Sequence, residues 1–156
     1  MIRLTAQFDA EAALSKLGLF SDALKGTLIN NIAGRIADNT FAEAFKLLSG
    51  TGAAWSYPVP VRTGNLRRSL WRITPAGYKG GQPNETYNLG PGEAYVGDSA
   101  EYARAIHDGR IFRRALSGGR GMGRPFLTDA MNAVLGNVKR YGIEENDKLL
   151  KEYGLG

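Results

Sequence analysis

Residues 21–48 read SDALKGTLINNIAGRIADNTFAEAFKLL, and the apolar positions Leu24, Leu28, Ile32 and Ile36 recur at steps of four before continuing as Phe41, Phe45 and Leu48. That recurrence predicts one long helix starting at Ser21 and stopping at Gly50. Gly26 and Gly34 inside it each cost about 1 kcal/mol relative to Ala, so the helix must be stabilised by packing or must bend. Upstream, Ile2, Leu4, Ala6 and Phe8 alternate with Arg3, Thr5 and Gln7, the period of a half-buried strand. Asp9 then caps a short helix through about Leu17, which Gly18 ends.

Downstream, Ser49 to Val61 is rich in Gly and Pro and reads as a connector, held extended by Pro58 and Pro60. Thr63 caps a single turn through Arg67 and Arg68, Ser69 to Thr74 has strand composition, and Pro75 stops that strand. Gly77 to Gly92 carries Gly, Pro or Asn at nearly every second place and reads as a long excursion or hairpin. Ala94-Tyr95-Val96 forms a further strand. Asp98-Ser99-Ala100-Glu101 has the form of a capping box ahead of a helix bearing Tyr102, Ile106 and His107. Pro125 suits the first helical position, and Leu127, Met131, Val134, Leu135 and Val138 make an apolar stripe. Gly142 interrupts it, leaving a short polar helix from Glu144 to Tyr153.

These elements predict a small α+β domain spanning residues 1–156, with a core over about 1–140 and a short C-terminal tail helix over 143–153. A few antiparallel strands are covered by the Ser21–Leu48 helix and a Pro125–Arg140 helix, and two long loops project. A chain of 156 residues should bury roughly 68 to 70% of its unfolded surface, enough for a core without staples. There is no Cys, which excludes disulfides, thiolate metal sites and a cysteine nucleophile. No stretch of about 18 apolar residues occurs, and the N-terminus has no signal-peptide core, so no membrane association is expected.

Charge is concentrated rather than spread. Residues 1–60 carry five basic and five acidic residues, residues 61–124 carry eleven and five, and residues 125–156 carry four and five, so the net +5 arises from 0, +6 and −1. Ten of the eleven central cations are Arg, whose planar fork suits phosphates and carboxylates. Arg62, Arg67, Arg68 and Arg72 form one cluster. Two of these can be the solvated side of a turn and strand; otherwise the cluster recognises carboxylates of a neighbouring subunit or phosphates of DNA. Arg110, Arg113, Arg114, Arg120 and Arg124 populate the second loop, which contains no acid. Fixing fifteen such residues costs roughly 15 to 30 kcal/mol, so partners would have to order them. Three readings stay open for that loop: a contact with another subunit or neighbour, a DNA-facing surface, or a solvated loop without a role.

Catalytic readings find little purchase. His107 is the only histidine, no Gly-x-Ser-x-Gly elbow occurs, and adjacent His107 and Asp108 cannot by themselves chelate a metal. A structural hydrogen-bonding role near a helix end suits His107. The Ser117–Arg124 stretch lacks the Gly-Lys-Ser/Thr ending of a P-loop. No zinc finger, RNA-recognition signature or helix-turn-helix spacing is present, which disfavours base-specific reading. No enzyme activity, cofactor or metal is expected.

Val61-Arg62-Thr63-Gly64-Asn65-Leu66-Arg67-Arg68-Ser69-Leu70, followed by Val96-Gly97, by Tyr102-Ala103 leading to His107-Asp108-Gly109, and by Pro125-Phe126-Leu127, has a further significance as an ordered set. Singly, Thr63-Gly64 is a cap with a permissive glycine, and Pro125-Phe126-Leu127 is a helix start anchored by a buried aromatic. In combination they resemble the neck and tail-completion (head-tail joining) proteins of tailed bacteriophages, the HK97 gp10-like family. The resemblance spans about Pro58 to Leu135, with Arg110 standing where the family often has Thr. It implies a structural virion protein at the head-tail junction, assembled in the bacterial host cytoplasm as a ring of roughly six or twelve copies. It also implies head-closure or connector proteins and tail-terminator or tail-tube proteins as partners, with non-specific contact to double-stranded DNA in the channel. The alternative is a free, non-specific nucleic-acid-binding protein using the same arginines.

Overall fold

The computed structural model describes residues 4–5, 22–49, 64–108 and 125–154. The elements are β1 (Leu4–Thr5), α1 (Asp22–Leu48), α2 (Asn65–Ser69), β2 (Leu70–Thr74), β3 (Gly77–Gly80), β4 (Tyr95–Asp98), α3 (Ala103–His107), α4 (Phe126–Leu135) and α5 (Val138–Glu152). The fold is α+β. Its sheet runs β1-β4-β2-β3 with every neighbour antiparallel. In register, Leu4 faces Val96, Arg72 faces both Val96 and Lys79, and Leu70 faces Asp98. The expected short helix over 9–17, most of the 49–61 connector and the arginine loop fall outside the described residues.

Helix α1 runs unbroken for 27 residues, about 40 Å at 1.5 Å per residue, through both Gly26 and Gly34. Leu28, Ile32 and Ile36 are buried as the periodicity requires, but Phe45 is 41% exposed and Phe41 only half-buried. Steps of four advance about 40° around the axis, but Ile36 to Phe41 is a step of five, about 140°, which carries Phe41 and Phe45 to the edge of the packed face and beyond it. Ala33, Ala37, Ala44, Leu47 and Leu48 take over the burial. Two clusters result. Leu28, Ile32 and Ile36 pack with Val134, Tyr141 and Leu149. The C-terminal half of α1 packs with Leu66, Leu70, Val96, Ala103, Ile106, Phe126, Leu127 and Ala130.

The second sheet face is closed by the chain's own excursion. Pro75-Ala76 makes a two-residue turn, Thr74 pairs with Gly77, and β3 returns along β2. Residues 81–94 carry no helix or strand, yet they are fastened down. The Ser99 hydroxyl donates to the Gln82 carbonyl at 2.5 Å, and the Gly92 N–H donates to Asn30 Oδ1 at 2.8 Å. Tyr87 lies between Trp71 and Tyr95, with ring centroids 5.1 and 5.2 Å away. Trp71 in turn lies over Gly97, where an added Cβ would stand 2.4 Å from the indole ring. This stretch therefore lines the sheet instead of projecting.

Five further points differ from the sequence reading. The expected Pro125–Arg140 helix breaks at Gly136-Asn137, where the Asn137 N–H donates to the Val134 carbonyl three residues back at 2.9 Å, a 3₁₀ turn. Val134 before the break and Tyr141 after it both pack on α1. Gly142 is no interruption: it lies inside α5, facing α1, with Ile32 Cδ1 3.8 Å from where a Cβ would sit. Asp98 does not cap α3. It ends β4 and closes an Asx-type turn by accepting the Ala100 N–H at 2.9 Å, while α3 begins only at Ala103 with Tyr102 at its N-cap. Similarly, Pro125 stands at the N-cap of α4 rather than inside it, and Gly64, at φ +69°, holds the N-cap of α2.

Candidate interaction groove

Burial of Leu66 determines which way α2 turns its other side chains. With Leu66 in the core, Arg67 and Arg68 are exposed. Arg72 sits one strand position from buried Trp71 and points to the α1 side of the sheet, where it pairs with Asp38 and donates to Thr74 Oγ1 and the Gly77 carbonyl, both at 3.2 Å. Lys79 is directly across from it on β3. These cations meet the drifted end of the α1 stripe. Phe41 and Phe45 stack at 6.3 Å, the Arg67 guanidinium lies 5.4 Å from the Phe45 ring centre, and the Lys79 ammonium lies 5.8 Å from that of Phe41.

The result is an open groove of ≈ 940 Å³, with Phe41, Ala42, Phe45 and Leu70 as apolar lining and Arg67, Arg68, Arg72, Lys79 and Lys46 as cations. Among the described residues Asp38 is the one acidic residue lining it, and it is engaged with Arg72. Lys46 pairs with Glu43 at 2.6 Å. Arg68 bonds Asn65 Oδ1 at 2.7 Å. Arg67 and Lys79 have no carboxylate within ion-pair distance among the described residues. Gly80 makes the groove's shape possible: its φ is +104°, and a Cβ there would fall 2.2 Å from the Leu70 carbonyl oxygen and 3.1 Å from the Phe41 ring.

Of the residues singled out from sequence, Arg67, Arg68 and Arg72 come together here. Arg62, Thr63, Gly109, Arg110, Arg113, Arg114, Arg120 and Arg124 lie outside the described residues. Leu66, Phe126 and Leu127 meet in one core cluster although sixty residues of chain separate the two segments. Tyr102 borders a smaller polar cavity of ≈ 490 Å³ beside Arg68, Ser69 and Ser99. Sequence reasoning missed Phe41, Phe45, Lys46 and Lys79. The signal for the two aromatics was the five-residue step from Ile36 to Phe41, about 140° around the axis; Lys79 offered none, being a lone cation in a glycine-rich stretch.

Two polar groups tie the signature segments together. His107 Nε2 is 3.1 Å from Thr128 Oγ1, and its ring meets Phe126 edge-on at 6.0 Å, locking α3 to α4. Asp98, with no exposed surface, accepts the Ser69 hydroxyl at 2.7 Å as well as the Ala100 N–H. Burial pushes its carboxyl up to about 6, and those two hydrogen bonds restrain the rise. Its other oxygen has no hydrogen-bond partner among the described residues.

Among the described residues no group of three or more His, Asp or Glu is placed to hold a metal, and no helix is long and apolar enough to cross a membrane. No protein-family model, curated protein or solved structure matches this chain.

Proposed function

We propose that this protein is a structural component of a tailed-bacteriophage neck, an oligomeric ring that joins the DNA-filled head to the tail and through which DNA passes. The observation that supports this reading best is the division of labour within the signature segments. Their apolar members Leu66, Ala103, Phe126 and Leu127 share one core, while Arg67 and Arg68 from the same stretch face outward beside Phe45. A signature that both builds the scaffold and presents a charged face suits a protein whose work is assembly. Head-closure and tail-terminator rings are the partners this reading supplies, with sequence-independent contact to the passing DNA. Disrupting the gene in the phage that carries it should leave full heads beside complete, unattached tails in electron micrographs of the lysate. Intact virions would refute it.

A second reading, non-specific nucleic-acid binding by the free protein, is favoured by the co-location of cations and aromatics in the groove, a combination found in single-strand-binding surfaces. Binding by the isolated protein that weakens steeply with salt would support it.

A further inference from the structure

The groove between α1, α2 and β3 offers two different chemistries side by side, and together they specify an occupant. We infer that it receives a segment of a partner protein that carries both carboxylates and apolar side chains, with the carboxylates on Arg67 and Lys79 and an apolar side chain laid against Phe45 and Phe41. The inference rests on the joining reading for the partner's biological identity but not for its chemistry.

Three observations favour such a segment over a nucleic acid. First, base stacking uses an open aromatic face, and one face of each ring already has a cation beside it, Arg67 at Phe45 and Lys79 at Phe41. A carboxylate can approach those cations from outside without displacing them. Second, the lining includes Phe41, Ala42, Phe45 and Leu70, and Phe45 leaves 41% of its surface in water. A phosphodiester backbone gains nothing from covering that surface, whereas a Leu or Phe side chain does. Third, the charge is short-range among the described residues. Arg72 is matched by Asp38 and Lys46 by Glu43, so what these residues present to a ligand is a small cationic rim and not a track along a strand. The planar fork of Arg67 suits a carboxylate as well as it suits a phosphate, and Gly80 keeps the β3 side of the groove open where a Cβ would intrude.

The test selects ligands without presupposing one. A library of short random peptides is panned on the full-length protein, and the enriched peptides are titrated, by fluorescence anisotropy, against wild type, Arg67→Glu/Lys79→Glu and Phe45→Ala. Thermal melts verify that each variant is folded, which their exposed positions favour. Labelled oligothymidylate is titrated in parallel. The expected result is enrichment of peptides combining Asp or Glu with Leu or Phe, with affinity falling about tenfold or more, equivalent to roughly 1.4 kcal/mol, in the charge-reversed variant and also falling in Phe45→Ala. The inference is overturned if no such peptides are enriched, if they bind the folded variants as tightly as wild type, or if oligothymidylate competes them off the groove. Because this readout uses isolated protein, intact virions after gene disruption would refute the joining reading and leave the groove chemistry standing.

Discussion

Asp98 stands at the end of β4 with no exposed surface, one oxygen held by Ser69 and Ala100 and the other without a hydrogen-bond partner among the described residues. Its carboxyl is raised to about 6 from an ordinary 3.8, so between about pH 4 and pH 6 the unfolded chain ionises while the folded one keeps its proton. The native state then binds more protons than the unfolded state, and stability falls as pH rises through that window, by roughly 3 kcal/mol in total. Other carboxylates contribute their own slopes, so the informative quantity is a difference. Urea unfolding of Asp98→Asn and wild type should show the variant gaining roughly 3 kcal/mol on wild type between pH 4 and pH 7; a constant difference would mean that Asp98 is not strained by burial. The sequence marks Asp98 as a cap for the next helix. What it cannot reveal is that Ser69, twenty-nine positions earlier, reaches the same carboxylate, because that contact exists only once β2 and β4 are paired.

At the scale of elements, legibility followed the range of the interactions responsible. Helix α1, strands β2 and β4 and the stop of β2 before Pro75 came through in the sequence because periodicity and Pro/Gly chemistry act locally. The end of the first α4 helix did not, since Gly142 looks like a breaker and Gly136 carries the same residue type. Tertiary packing decided between them. At Gly142 the glycine only brings α5 close to Ile32, and a methyl group there would make ordinary contact at 3.8 Å. Gly142→Ala should therefore raise unfolding free energy by about 0.5 to 1 kcal/mol through helix propensity, measured by chemical denaturation; a loss of stability would mean that the α1–α5 spacing does not tolerate a methyl group. What joins α5 to α1 electrostatically is Arg35, which pairs with Glu144 and with Glu145 at 2.8 Å and lies 4.7 Å from the Tyr141 ring centre. Glu145 is buried and is left with Lys148 alone if Arg35 is removed. Arg35→Ala should cost about 1 to 2 kcal/mol, discounted for the partial exposure of the network. Amide exchange should lose protection in α5 while the β2–β4 ladder keeps it; uniform loss would contradict a local role.

At the scale of the whole molecule, the core and the outward face use the same short segments for different purposes. The apolar members of the signature gather in one cluster at the C-terminal half of α1, and α5 secures the other half. The cationic members lie beside aromatics that the drift of a long helical stripe leaves at the surface. The sequence made the concentration of charge plain, with +6 in residues 61–124, and named Arg67, Arg68 and Arg72. It did not join them to Phe41 and Phe45, which precede them by more than twenty residues and read as core. The role proposed for this protein is to join heads to tails, and to do so through the groove. The most direct measurement is complementation in an extract of cells infected with phage lacking the gene, scored as plaque-forming particles after purified protein is added. Wild type should restore plaques and folded Arg67→Glu/Lys79→Glu should restore few or none. Equal restoration by the variant, or none by wild type, would contradict the claim.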